Sequence, residues 1–184
     1  MRQQLLLHPD SRSVAVTSIG VEIACPRANR LELSYIVSGQ INGVRMPPNT
    51  TSGRSDGLWR HTCFEAFVRA PEGTEYYELN FSPSGQWAAY QFSSYRNGRR
   101  VVDKISEIPI ELRSSLDRCV LQASLDPDRF AGLPRNHAWH LGLSAVIEDT
   151  NGSLSYWALL HPPGKPDFHH ADCFACEFSS AAML

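Results

Sequence analysis

The stretch HPPGKPDFHHADC, residues 161–173, concentrates side chains that do chemistry. It holds three of the seven histidines, two aspartates and a cysteine on a proline- and glycine-rich segment. His, Asp and Cys bind transition metals and assist nucleophiles. His169 and His170 are adjacent, so in an extended chain they point to opposite sides and do not share one ion. Asp167 and His169 share a side, and His161 joins them from the end of the preceding strand. The candidate metal set is therefore His161, Asp167 and His169, and a metal-dependent enzyme using residues 161–170 is one expectation. The other is a rigid rim: Pro162, Pro163 and Pro166 restrict the chain, Gly164 permits a sharp turn and Phe168 anchors it. The C-x-x-C spacing of Cys173 and Cys176 lies in a strand-like setting, whereas dithiol redox motifs start helices. The five cysteines show no repeated spacing, so buried thiols are expected. No G-x-S-x-G, H-E-x-x-H or phosphate-cradling glycine loop occurs, and the balance leans against an enzyme.

The elements that position such residues alternate with period two. Segments 13–25, 30–39, 58–70, 75–82, 87–95, 118–126, 139–149 and 154–161 read as strands, and 173–179 as a last short one. Residues 105–116 and 126–133 are expected to hold one or two helical turns. Eight or nine strands with short connections imply an all-β, antiparallel, jelly-roll-like β-sandwich forming one domain over 1–184. Turns then set the register. SPSG (82–85) reads as a type I turn that places Ser82 opposite Trp87, Asn80 opposite Ala89 and Glu78 opposite Gln91. Two registers fit the hairpin through 70–75. The one with Glu65 opposite Asn80 is preferred, because the other opposes Glu65 to Glu78. The face turned from the core then carries Trp59, His61, Glu65, Phe67, Glu78, Asn80, Trp87, Ala89 and Gln91, the composition of a polar-aromatic groove. NG (151–152) reads as a two-residue turn that puts Trp157, Leu159 and His161 on one face beside Val146, Ser144 and Gly142. Tyr95 and Arg96, in SSYRNGRR, stand at a strand end within reach of a ligand's anionic group.

Lys and Arg number 17 against 19 Asp and Glu, for a net charge of −2, so there is no basic excess for nucleic acid. No segment is apolar enough for a membrane span, and MRQQLLLHPD lacks the apolar run of a secretory leader, so a cytoplasmic location is expected.

The motifs LWRHTCFEAFV, YYELNFSPSGQWAAYQFSSYR, HLGLSAVIE and SYWALLHPPGKPDFHHADCF resemble bacterial DOMON-like domains, which are related to family-nine carbohydrate-binding modules and haem-binding DOMON domains. The resemblance spans about residues 10 to 178 and implies a sandwich whose concave face binds a sugar or a haem. Trp59, Glu65, Glu78 and Trp87 match the carbohydrate-binding pattern, with Thr62 where relatives carry Asp. The expected function is a non-catalytic binding domain for a saccharide or similar small polar metabolite. Trp59, Trp87 and Trp157 are its platforms, and His61, Glu65, Glu78, Asn80, Gln91 and His161 its polar contacts. No cofactor is required on that reading. A haem-binding electron-transfer domain is the alternative, with Met46 and either His161 or His169 as axial ligands in a chain whose other methionines are Met1 and Met183. A second copy of the chain is the alternative occupant of the sheet face, giving a homodimer.

Overall fold

The computed structural model describes residues 1–27, 29–133 and 138–179. In chain order the strands are β1 (Arg2–Leu7), β2 (Val16–Arg27), β3 (Arg30–Gly39), β4 (Gly53–Arg54), β5 (Cys63–Arg69), β6 (Tyr76–Phe81) and β7 (Gln86–Phe92). They continue as β8 (Arg100–Val101), β9 (Ile110–Ser114), β10 (Arg118–Leu125), β11 (Ala138–Glu148), β12 (Leu154–Ala158) and β13 (Cys176–Ser179). Among the described residues the helical structure is four 3-10 turns, Ile41–Gly43, Leu58–Arg60, Pro127–Arg129 and Ala171–Cys173, and no helix is long and apolar enough to cross a membrane.

The strands form an all-β sandwich of two layers. One runs β1-β2-β3-β10-β9. The other runs β4-β7-β6-β5-β11-β12-β1, with β13 on β11 and β8 on β7. Strand β1 belongs to both: Arg2 to Leu5 pair with β2, and Leu6 and Leu7 pair with β12. The layers are thus one curled sheet. Its pairings are antiparallel except at the edge, where β4 runs parallel to β7. Segment 105–116 is not helical. Its alternating IELRS forms β9 against β10, so the strand period prevails over helix propensity there. In segment 126–133 the expected turn forms at Pro127–Arg129, capped by the Asp126 carboxylate, which accepts from the Asp128 amide at 3.0 Å.

The core lies between the layers. Ile19, Val21, Leu33 and Leu121 of the first layer meet Phe64, Ala66, Leu79 and Phe81 of the second, all essentially inaccessible to water. Each such side chain contributes about 1.5–3 kcal/mol by its burial. Tyr35 of β3 crosses this core and donates to the Glu65 carbonyl of β5 at 2.7 Å. That bond satisfies a buried hydroxyl and ties the two layers together at Glu65.

The β5–β6 register has Glu65 opposite Asn80 and Phe67 opposite Glu78, the arrangement that keeps the two carboxylates from direct opposition. The next hairpin differs from expectation by one residue. Phe81 faces Trp87, Leu79 faces Ala89 and Tyr77 faces Gln91. Gly85 adopts φ +86°, Ser82 pairs its amide with the Gln86 carbonyl, and the loop is three residues long. A type I turn followed by a left-handed glycine makes this bulged loop. The 150–152 hairpin has the same construction: Gly152 has φ +87°, the Asp149 amide bonds the Ser153 carbonyl, and Ala145 rather than Val146 faces Trp157. Because side chains alternate, each one-residue shift moves a whole strand's set to the opposite face.

Candidate functional site

The outward face of the second layer carries Glu65 and Phe67 of β5, Tyr76, Glu78 and Asn80 of β6, and Ala88, Tyr90 and Phe92 of β7. Gly142, Ser144 and Val146 of β11 and Tyr156 of β12 complete it. Three pieces of chain fold over this face: the turn bearing Trp59, the loop bearing Arg96 and Arg99, and segment 161–173. Phe168 of that segment and Phe174 just after it pack with Phe67, Tyr76, Phe92 and Val146 into a second apolar cluster. Gly142 lets the segment settle. A Cβ there would come within 3.1 Å of the Cys173 carbonyl and 3.3 Å of Phe67 Cβ. The cover is incomplete and leaves a cleft of about 400 Å3, lined by Trp59, Glu65, Glu78, Phe92, Arg96, Arg99, Val146, Tyr156, Pro166, Phe168 and His169.

The floor is acidic. Glu65 is 3% exposed, and among the described residues its carboxyl has one donor, Ser144 Oγ at 3.4 Å. Burial, with the charge of nearby Glu78, holds its proton well above the usual carboxylate range, against the opposing pull of Ser144 and Arg96. Glu78 is also raised by burial, offset by the hydrogen bond from Asn80 Nδ2 at 2.8 Å and by Arg99 and Arg96. Above them sits His169. The Arg96 amide donates to Tyr76 Oη at 3.1 Å, and the Tyr76 hydroxyl is hydrogen-bonded to His169 Nδ1 at 2.8 Å. The other ring nitrogen, Nε2, lies 3.8 Å from Glu78 Oε2. Burial, reinforced by the Arg96 charge, lowers His169 to about 4, so it is neutral at neutral pH.

The rim is basic but internally balanced. Arg96 pairs with Asp167 at 2.7 Å and Arg99 with Asp56 at 3.0 Å. Tyr95 and Tyr90 donate to the same two aspartates. Arg96 holds a left-handed φ of 53°, costing about 1 kcal/mol or more. Its amide bond to Tyr76 and its ion pair to Asp167 fix that conformation. The Arg99 guanidinium lies 4.3 Å over the Tyr90 ring and 5.7 Å from the Trp59 ring, and Trp59 meets Tyr90 edge-on at 6.3 Å.

Several residues expected at one site come together here: Trp59, Glu65 and Glu78 line the cleft, and Asn80 fixes Glu78 from the floor. Others do not. Trp87 and Trp157 are 2% and 4% exposed and face the core, and Gln91 shares Trp87's side of β7, where Arg100 donates to it at 2.9 Å. The bulged hairpins account for all three. His61 belongs to a different depression, its Nδ1 2.7 Å from Glu148, which also pairs with Arg45. His161 packs behind the segment on His8, ring centroids 4.8 Å apart, with Nε2 donating to the Leu6 carbonyl. The trio His161, Asp167 and His169 is therefore not a metal site. Asp167 is engaged by Arg96, His169 by Tyr76 and His161 by Leu6, and no group of three metal ligands occurs among the described residues. Of the axial ligands expected for a haem, Met46 packs on the sandwich core, His161 is bonded to Leu6 and His169 to Tyr76, and Met183 lies outside the described residues. The sheet face offered to a second copy is covered, apart from the cleft, by the chain's own loops. Phe92 and Tyr156 are cleft residues that the sequence reading assigns elsewhere, and Tyr90 shares their face. The signal for them is the glycine that closes each turn.

The fold is similar to that of a candidate carbohydrate-binding protein from Bacteroides uniformis, with TM-score 0.69 and 14% identity over 94% of this chain and 83% of that one. A family-9 carbohydrate-binding module from Caldicellulosiruptor kristjanssonii, in complexes with glucose and with cellotriose, gives TM-scores of 0.49 at 11% and 12% identity, over 84% of this chain and 72% and 70% of that one. No family model matches the sequence, and no curated protein matches it. At these identities the likeness is one of fold.

Proposed function

We propose that the chain is a non-catalytic binding module for a small saccharide, held in the cleft over β5, β6 and β11. The observation that carries this reading is the composition of one cleft: flat rings of Trp59, Phe92, Tyr156 and Phe168 around the hydrogen-bonding groups of Glu65, Glu78 and His169. Sugars present alternating apolar C–H faces and equatorial hydroxyls, which such walls and floor match. A volume of about 400 Å3 suits one or two sugar rings. It agrees with the carbohydrate-binding role suggested for the Bacteroides uniformis protein of the same fold.

Cys173 is no nucleophile, because burial beside Asp167 and Asp172 pushes its thiol up to about 12. Calorimetric titration with a panel of mono- and disaccharides tests the proposal. Trp59→Ala is expected to weaken binding about tenfold with the fold intact, since Trp59 is only half-buried on a short turn. Affinity for no saccharide, or an unchanged affinity in the variant, rejects it.

A further inference from the structure

The charges of the cleft do not cancel evenly. Arg96 and Arg99 each already face a carboxylate, Asp167 and Asp56, on the outer side of the rim. Subtracting those two pairs leaves Glu65 and Glu78. Among the described residues His169 is the one basic group within 4 Å of either, and it is neutral. Tyr76 and Tyr90 beside them hold their protons, as do Cys63 and Tyr35 below. Glu65 is more than nine-tenths buried, yet among the described residues one of its oxygens has no donor, and its side chain lines the cleft. A buried acid without a cation is costly, and the rings of Trp59, Phe92, Tyr156 and Phe168 line the same cleft, where aromatic faces attract cations.

We propose that the floor receives a protonated amine, so that the saccharide of the proposed function is an amino sugar whose ammonium group sits between Glu65 and Glu78. This rests on the saccharide reading for the ring and on the unpaired acids for the amine. The ammonium group supplies the donors that Glu65 lacks and the positive charge that lets both carboxyls ionise. Because the free floor retains protons, binding expels them into solution. Affinity therefore rises with pH until the amine itself deprotonates.

Isothermal titration of the intact protein with glucosamine, glucose and cyclohexylamine tests this, at pH 5 and pH 7 and in two buffers of different ionisation enthalpy. Glucosamine is expected to bind about tenfold or more tighter than glucose at pH 7. Its binding tightens from pH 5 to pH 7 and releases protons. Glu65→Gln and Glu78→Gln, which keep shape, each remove about tenfold of that preference; the proton release needs no variant and stands if either fails to fold. Equal affinity for glucosamine and glucose, or glucosamine binding without proton release, overturns the amine assignment and leaves the saccharide reading in place. Cyclohexylamine bound with proton release while no sugar binds overturns the saccharide reading and supports the amine site. Absence of binding by all three overturns both.

Discussion

Glu65 and His169 respond to pH in opposite senses. The folded chain holds the Glu65 proton above the ordinary value of 4.5, so it binds more protons than the unfolded chain in that window. Stability from this group is full below 4.5 and is lost as pH rises through the raised value. His169 is lowered from 6.5 to about 4, so there the unfolded chain binds more protons. Its contribution is full above 6.5 and is lost as pH falls toward 4, on the order of 3 kcal/mol for that displacement. His169→Gln is expected to flatten the acid limb of urea-unfolding free energies between pH 6.5 and 4, and Glu65→Gln to stabilise the protein at pH 7 relative to pH 4.5. A variant whose pH profile parallels that of the unsubstituted chain contradicts the corresponding assignment. At this scale the sequence is informative where residue type alone decides. Glu65, Glu78 and Asn80 are polar at alternating positions of apolar strands; Glu65 and Glu78 line the cleft with Trp59 of the preceding turn, and Asn80 holds Glu78. His161 and Asp167 mislead, because a local run of ligand types says nothing about the Leu6 carbonyl or the Arg96 guanidinium that engages each of them.

Among elements, two hairpins decide which aromatic residues meet the ligand. SPSG and TNG each end in a glycine that takes a left-handed conformation, and each shifts one strand by a residue. The sequence shows the turns but not their loop length, because a glycine at the end of a turn serves either a two-residue or a bulged loop. Hence Trp87 and Trp157 go to the core and Phe92 and Tyr156 to the cleft. Segment 161–173 depends on an element at a distance: it rests on β11 because Gly142 has no Cβ. Gly142→Ala forces the Cys173 carbonyl and Phe67 to give by a few tenths of an ångström, with an expected loss of about 1–2 kcal/mol. Hydrogen exchange should then speed at the Cys173 and Phe174 amides, whose bonds to His170 and Ala171 close the 3-10 turn, while the β2–β3 amides stay protected. Uniform acceleration across both layers contradicts this local account.

For the whole molecule, the two-layer sandwich follows from period-two alternation, which is local and therefore legible. The order of strands across each layer is not, since hydrophobic patterning does not name a strand's neighbour. RQQLLL has a weak pattern, yet as β1 it is the seam that makes two layers one sheet. Leu5 is its buried anchor at 2% exposure, and Leu5→Ala is expected to cost about 2–5 kcal/mol, lowering the urea midpoint of both layers together. Separate transitions for the two layers contradict a shared seam. The same strand also sets a clock. Leu6 and Leu7 pair with Ala158 and Trp157, about 150 residues later. At a synthesis rate of about 5–20 residues per second, one edge of β1 waits roughly 7–30 s for its partner to be made. During that interval the nascent chain presents an open strand edge to whatever is near, and a chaperone that shields it should raise the yield more than any change to the cleft.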